Sequence, residues 1–217
     1  MKLIDRMKVT LFLVAAAAFA AACSTTEPAP EKAAAEPTEP PFSNAEPERY
    51  QAVIVQTTGQ ELVKFRVVRD GNLWRIDSAY GEPGQTSSIH TDKEYVISFA
   101  GKAYGEYTAG HGFDERPQMV QEISGGMLNS REAAVFEKIG SEGGLTRYRM
   151  TDDKGVEAVI TFDEGKGLPI RKESQKMTVT LEDLSLEPDV SLFEIPKDLR
   201  KVPMDEMKKI LIAQPVK

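Results

Sequence analysis

Residues 61–77 read ELVKFRVVRDGNLWRID, and the alternation in this stretch decides the fold. Apolar side chains recur at every second position in both halves, so each half would form a strand with one apolar face. These side chains are Val63, Phe65, Val67, Trp74 and Ile76. The Asp-Gly-Asn triplet at 70–72 is a strong hairpin signal. The stretch therefore predicts two antiparallel strands joined by a tight turn.

The same period of two continues on both sides of this hairpin. Short turns rich in Gly, Asp and Lys separate the segments that alternate. Further strands are predicted at 51–57, 87–90, 95–99, 103–107, 146–150, 156–162, 168–174 and 177–186, and residues 191–196 are expected to close the sheet. About nine to eleven short strands at regular spacing predict a mainly β fold (α+β), an open or partly closed antiparallel barrel.

Two regions interrupt the alternation. Pro117 can start a short helix, and Asn129 and Glu132 have the spacing of a capping box for a second one. We therefore expect a short helical insert at about 113–138. Residues 203–217 predict a C-terminal amphipathic helix and tail.

The N-terminus has the pattern of a signal peptide. Three basic side chains precede an apolar run at 9–22, about fourteen residues, whereas a membrane-spanning helix needs roughly 20. The stretch Phe19-Ala20-Ala21-Ala22-Cys23-Ser24 resembles a bacterial lipobox. That resemblance implies cleavage between Ala22 and Cys23, removal of residues 1–22 and lipidation of Cys23. The alternative is an ordinary signal or an uncleaved anchor in which Cys23 has no role.

Lipidation would fix the location of the protein. Several acyl chains on one residue anchor a protein stably, whereas a single chain binds a membrane only marginally. The expected partner of Cys23 is therefore a membrane of the cell envelope. Ser24, the residue after the lipidated position, favours the outer membrane facing the periplasm in a Gram-negative source.

Residues 23–48 form the expected linker between the anchor and the folded domain. From 24 to 48 the chain consists mainly of Ala, Pro, Glu and Thr, with six prolines, and its one large apolar residue is Phe42. Such a segment buries too little surface to offset the entropy of ordering, so we expect a disordered, extended stalk.

The composition excludes some partners. The full sequence carries a net charge of −7; residues 1–22 contribute three positive side chains and one negative, so the mature chain would carry −9. A net acidic domain without a basic stripe argues against nucleic acid as a partner. Cys23 is the only cysteine, so an internal disulfide is impossible and stability must come from a hydrophobic core.

Two long segments, 50–107 and 138–202, resemble bacterial periplasmic domains related to the LolA/LolB lipoprotein-carrier superfamily. The most specific motifs are Gly-Leu-Pro-Ile-Arg at 167–171 and Leu-Phe-Glu-Ile-Pro at 192–196. The resemblance implies that residues 49–202 form a LolA-like half-barrel, a curved antiparallel sheet over a helical plug, with a hydrophobic cavity that accepts acyl chains. The sequence lacks the long N-terminal helix usual in carriers. No residue matches the basic side chain that acts in lipid transfer.

Eight apolar side chains are candidates for the lining of such a cavity. They are Val63, Phe65, Val67, Trp74, Ile76, Tyr148, Ile160 and Phe162. The alternative is that they pack together as an ordinary core, and the sequence leaves both possibilities open.

The sequence offers little for a reaction. The Gly-x-Ser-x-Gly motif is absent, and neither His90 nor His111 stands in a recognisable signature. His111, Asp114 and Glu115 lie close in sequence, but zinc usually takes three or four ligands at fixed spacing. We expect no catalytic residue, no metal and no cofactor. The expected function is a non-enzymatic lipoprotein that binds an acyl chain or another apolar ligand, possible roles being lipoprotein or envelope lipid handling. The alternative is a structural lipoprotein with a filled core that binds an envelope protein.

Overall fold

The alternating segments build one open, curled sheet of twelve strands in the computed structural model, which describes residues 41–42, 45–107, 135–152 and 154–213. The strands are β1 (Arg49–Thr58), β2 (Glu61–Asp70), β3 (Leu73–Ser78), β4 (Thr86–His90), β5 (Glu94–Ser98), β6 (Ala103–Tyr107), β7 (Val135–Glu142), β8 (Leu145–Thr151), β9 (Glu157–Asp163), β10 (Leu168–Ser174), β11 (Thr178–Ser185) and β12 (Arg200–Lys201). A 3₁₀-helix follows β11 at Val190–Phe193, and α1 spans Met204–Ile212. The expectation of a mainly β fold is confirmed.

Two meanders make up the sheet. Its strand order is β12-β6-β5-β4-β3-β2-β1-β11-β10-β9-β8-β7, so chain neighbours pair within β1–β6 and within β7–β11. The meanders join where β1 pairs antiparallel with β11, residues 53–57 lying opposite 178–182. β12 pairs parallel with β6, and the other pairings are antiparallel.

Two local predictions were wrong. The predicted helical insert reached residue 138, but Val135–Glu142 is the strand β7, which pairs with β8 along its length. Pairing with β8 overrides the local helix signal, because isolated helical propensity is weak beside a continuous ladder. Residues 108–134, the rest of the insert, lie outside the described part of the chain.

The segment predicted to close the sheet at 191–196 is not a strand either. Its first residues form the 3₁₀-helix, where the Asp189 carboxylate accepts a hydrogen bond from the Ser191 backbone N–H. An Asp that accepts bonds from the N–H groups just after it favours a helical turn over an extended strand. The two-residue β12 takes the place at the sheet edge.

The register defines two faces. Residues directly opposite each other in an antiparallel pair share a face. We call the face that carries Ile54, Val67 and Ile160 the Phe42 face, because Phe42 belongs to the core cluster on it. The opposite face carries Val68, Ile89 and Ile97. We call it the 190–199 face, because residues of that segment pack against it.

A small buried ion network stabilises the 190–199 face. Asp77 is fully buried and lies between two guanidinium groups, with Arg66 Nε 2.6 Å from its Oδ2 and Arg75 Nε 2.7 Å from its Oδ1. The Ser87 hydroxyl also donates to the Asp77 carboxylate. Arg75 Nη1 donates to the backbone oxygen of Leu192 at 2.6 Å, which ties the 3₁₀-helix to β3.

Beyond this segment the chain turns around the sheet edge at β12, and α1 packs on the Phe42 face. Met207 of α1 is fully buried in a cluster with Val96 of β5 and Ala103 of β6. Gly105 of β6 allows this close approach, because a side chain there would overlap the Met204 Sδ and lie 3.1 Å from the Met207 Cβ.

We predict that Gly105→Ala lowers the free energy of unfolding by about 1–3 kcal/mol, since the added methyl forces α1 away from the sheet. Gly140→Ala is the matched control, because a Cβ at this strand glycine meets nothing within 4 Å. Urea denaturation of the two variants and the parent measures the difference. Equal stability of both variants would mean that α1 does not pack closely on β6.

Candidate functional site

Five of the eight candidate lining residues lie in one apolar cluster on the Phe42 face. They are Phe65, Val67, Tyr148, Ile160 and Phe162. Val63 is 43% exposed near the end of β2, outside the cluster. Ile76 is half-buried opposite Val67, and Trp74 is buried outside this cluster. The structure therefore brings five of the candidates, from both meanders, into one cluster. The other three, Val63, Trp74 and Ile76, lie outside it although they belong to the alternating hairpin.

An aromatic cage stands at one side of this cluster. Phe136 of β7, Tyr148 of β8 and Phe162 of β9 belong to successive strands of the second meander. The Phe42 ring sits among them. It stacks on Phe162 with centroids 5.5 Å apart and an interplanar angle of 15°, and it meets Phe136 edge-on at 6.0 Å. The Tyr148 ring lies 6.1 Å away.

Phe42 lies within the segment that the sequence predicts to be only a stalk. Its side chain is instead 8% exposed and part of the core cluster. The signal was present: Phe42 is the one large apolar residue between 24 and 48. The stacked and edge-on ring contacts with Phe162 and Phe136 are each worth about 0.5–1.5 kcal/mol beyond area burial, which favours the docked position of Phe42.

The centre of the Phe42 face is closely packed. Ile54, Met150, Ile160 and Val179 are each at most 2% exposed. Space for a ligand in this cluster therefore requires a side chain to leave, and Phe42 is a member of the cluster that comes from outside the sheet.

Lys172 places a positive charge on this apolar face. It lies opposite Val179 of β11 and Ile160 of β9, and it is 3% exposed. Burial away from water lowers the pKa of the Lys172 ammonium below its usual value of 10.5. A cation here could attract the head of an anionic ligand, but at a cost to stability.

We predict that Lys172 makes stability rise with pH at the alkaline end. Between its lowered folded pKa and 10.5 the unfolded chain binds more protons than the native one, so unfolding becomes less favourable as pH increases. Lys172→Met should remove this rise. Urea denaturation between pH 7 and 10 measures it, with the exposed Lys176→Met as control. Parallel curves for the parent and Lys172→Met would contradict the prediction.

A second group of polar and aromatic side chains crosses β3, β4 and β5 on the same face. The Trp74 and His90 rings stack with centroids 5.3 Å apart and planes within 4°. His90 Nδ1 lies 3.3 Å from Glu94 Oε1, an ion-pair distance without hydrogen-bond geometry. Within the described residues no partner reaches Glu94 Oε2. This group therefore places an imidazole next to a carboxylate. None of the contacts just described brings a nucleophilic side chain to the imidazole.

A polar cleft lies at the β12 edge of the sheet, between β6, β12 and α1. Its volume is about 720 Å³, and its walls are Asp92, Lys93, Glu106, Tyr107, Lys201, Val202, Pro203 and Met204. Glu106 bridges two ammonium groups, with Lys93 at 2.9 Å and Lys201 at 2.5 Å. Hydrogen bonds from Lys201 and Lys93 lower the pKa of Glu106, and the bond to Glu106 raises the pKa of each lysine. The charges are mutually compensated, which leaves little attraction for an ion.

The remaining predicted positions fall outside the described residues. These are Ala22 and Cys23 of the lipobox, together with His111, Asp114 and Glu115. In the described part of the chain, no cluster of three or more His, Cys, Asp or Glu side chains could hold a metal ion. Nor does that part contain a helix with the length and apolarity to span a membrane.

Comparisons with known proteins find similarity among solved structures. No family model and no curated protein matches the sequence. Among solved structures the chain is similar to an uncharacterized conserved protein from Thermus thermophilus, at 12% identity and a TM-score of 0.42. The alignment covers 72% of this chain and 91% of that chain. A likeness at this level carries no functional argument, so the function must be inferred from the geometry above.

Proposed function

We propose that the protein is a non-enzymatic envelope lipoprotein, anchored through Cys23, whose LolA-like half-barrel binds an acyl chain or a similar apolar ligand on the Phe42 face. The observation that carries this proposal is the aromatic cage, which already holds an apolar group supplied from outside the sheet. A pocket with mainly aromatic walls suits a hydrocarbon chain.

The curl of the sheet supports the same proposal. The core cluster combines side chains of β2 with side chains of β7–β9, although five strands separate β2 from β7 in the sheet. The cluster reaches from β2 to β7 through side chains of β1, β11 and β10, so the curled sheet carries an elongated apolar surface on this face. Burial of an acyl chain contributes roughly 0.8 kcal/mol per methylene, so micromolar binding, which needs about 8 kcal/mol, requires burial of on the order of ten methylenes.

Native mass spectrometry tests the proposal. Residues 24–217 would be secreted with an ordinary signal and purified without detergent. We expect added mass that extracts as lipid, or uptake of a fluorescent fatty acid by the purified protein. A bare polypeptide mass with no uptake of the fatty acid would refute the proposed function.

A pair of variants locates the binding. Tyr148→Ala removes a wall of the cage, whereas Phe99→Ala removes a half-buried ring packed on the 190–199 face. Fatty-acid affinity should fall for Tyr148→Ala and stay unchanged for Phe99→Ala. Equal losses in the two variants would point to general destabilisation rather than to a site at the cage.

A second candidate function follows from the packed centre. Ile54, Met150 and Ile160 are at most 2% exposed, as in a filled core. In this case the lipoprotein would bind an envelope protein through its loops or strand edges and take up no ligand. A partner complex that survives Ala158→Val, which adds volume to the Phe42 face, would favour this candidate. Loss of fatty-acid uptake in the same variant would favour the first.

The anchor is a separate part of the proposal. Cys23→Ser in the full-length precursor should move the protein from the membrane fraction to the soluble periplasmic fraction. A protein that remains in the membrane fraction would show that residues 1–22 stay attached or that another segment anchors it.

A further inference from the structure

We propose that Phe42 is a displaceable plug: it occupies the aromatic cage in the absence of ligand and leaves when an apolar ligand enters. This inference rests on the proposed function, whose site it describes more closely. It makes ligand binding and docking of the N-terminal segment mutually exclusive.

The cage is complete without Phe42. Its three walls, Phe136, Tyr148 and Phe162, come from β7, β8 and β9, which pair with one another along the second meander. Phe42 comes from a segment outside the sheet, seven residues before β1. Removal of Phe42 therefore leaves the ladder intact and opens an apolar space of the size of a phenyl ring.

The apolar attachment of the segment is concentrated in this one ring. Among the described residues before β1, Phe42 alone is buried, while Pro41, Ala45 and Glu48 are exposed and residues 46–47 are half-buried. At the β1 end of the segment, the Glu48 backbone oxygen accepts a hydrogen bond from the Gly71 N–H at 2.8 Å. The Phe42 ring can leave the cage while this bond and β1 stay in place, because few buried contacts must break together.

The polar and proline neighbours of Phe42 support a role as a reversible contact. Pro40 and Pro41 precede it and Ser43 and Asn44 follow it, so the adjacent chain has little apolar surface of its own. This feature favours an exchange in which a ligand with more apolar area than one phenyl ring replaces Phe42.

A consequence follows for the anchored protein. When Phe42 leaves the cage, residues 42–47 become part of the tether to Cys23, which lengthens by at most about 19 Å in polyproline geometry. Ligand binding would then increase the distance that the domain can reach from its membrane.

The fraction of molecules in which Phe42 occupies the cage sets how much the Phe42→Ala variant changes ligand affinity. The apparent affinity for a ligand is reduced by the fraction of molecules in which the cage is free. If Phe42 occupies the cage in about nine molecules of ten, Phe42→Ala should tighten binding about tenfold. A core role predicts the opposite, since removal of a core ring weakens or abolishes binding.

The first experiment titrates the lipid-free chain 24–217 with cis-parinaric acid, a fluorescent fatty acid, and compares the parent with Phe42→Ala. Leu62→Ala is the matched control, because this side chain is 58% exposed. We expect about tenfold tighter binding for Phe42→Ala and no change for Leu62→Ala. Equal or weaker binding by Phe42→Ala would overturn the plug.

The second experiment does not depend on a destabilising variant. 4-Fluorophenylalanine at position 42 reports its environment by ¹⁹F NMR during titration with the same fatty acid. We expect the resonance to move from a buried position to that of the urea-unfolded chain as ligand is added. A resonance that stays at the buried position while the fatty acid binds would overturn the plug and leave the proposed function intact. Absence of binding by both parent and Phe42→Ala would overturn both.

Discussion

Asp77→Asn is expected to lower the free energy of unfolding by about 3–5 kcal/mol, because it leaves a buried guanidinium without its counter-charge. The Asp77 carboxylate is fully buried, and Arg75 beside it is 4% exposed. Arg75 Nε and Arg66 Nη2 lie 2.7 and 2.5 Å from the two carboxylate oxygens. The uncharged amide cannot compensate these positive groups, and the low local dielectric makes the imbalance costly.

The matched control is Asp70→Asn. This carboxylate pairs with Arg49 at 2.8 Å, but Arg49 is 56% exposed, so the expected loss is below about 1 kcal/mol. Urea denaturation of both variants gives the two free energies. Similar small losses would mean that water reaches Asp77 and that the network does not stabilise the 190–199 face.

The same variant should also loosen the segment tied to Arg75. The Arg75 guanidinium donates to the Leu192 carbonyl, and the lost counter-charge removes the group that orients it. Amide hydrogen exchange at residues 190–193 should therefore accelerate in Asp77→Asn, and exchange in β9 should not. Uniform acceleration across the sheet would indicate global unfolding instead of local release.

The second large effect is expected for Ile160→Ala, with a loss of about 2–5 kcal/mol. Ile160 is fully buried at the centre of the Phe42 face, opposite Tyr148 of β8 and Lys172 of β10. Truncation there removes apolar burial and leaves a cavity that rigid neighbouring strands cannot fill. Val156→Ala, at a position that is 50% exposed, should cost less than about 0.5 kcal/mol.

This pair of variants also bears on the two candidate functions. A loss of several kcal/mol for Ile160→Ala means a closely packed centre, so a ligand would bind at the cage and not beneath Ile160. A loss below about 1 kcal/mol would mean that the centre already contains space. Fatty-acid binding by Ile160→Ala, measured beside its stability, distinguishes a new cavity from an existing one.

The positions of most strands follow from the sequence, because alternation with period two is a local property. The hairpin at 70–72 and the strands on its two sides lie within one or two residues of the predicted bounds. Helix α1 begins at Met204, one residue after the predicted start. In each case the signal lies within the element itself and does not require a distant partner.

The predictions that were wrong concern elements whose structure depends on distant partners. Phe136 follows a capping-box pattern, yet it lies in β7 because Met150 stands opposite it in β8. Leu192 belongs to an alternating apolar segment, yet it forms a 3₁₀-helix held by Asp189 and Arg75. Local patterns give a preference of a fraction of a kcal/mol per residue, which tertiary hydrogen bonds and packing exceed.

The candidate site likewise combines features that local alternation predicts with features that only distant contacts create. Alternation placed Val63, Phe65 and Val67 on one face, but the structure brings only Phe65 and Val67 into the core cluster. The site also includes Phe42, whose ring contacts join it to residues about 94 to 120 positions later in the chain. No periodicity in the sequence connects such distant positions.

The sequence by itself determined the β class of this protein, the positions of most turns and the face on which most strands carry their apolar side chains. These properties depend on the backbone geometry of a few neighbouring residues. Only the tertiary structure decided the β1–β11 pairing, the curl of the sheet and the insertion of Phe42 into the aromatic cage. These depend on contacts between segments about a hundred residues or more apart. The entropy lost when such long loops close is offset only when the whole apolar face packs together.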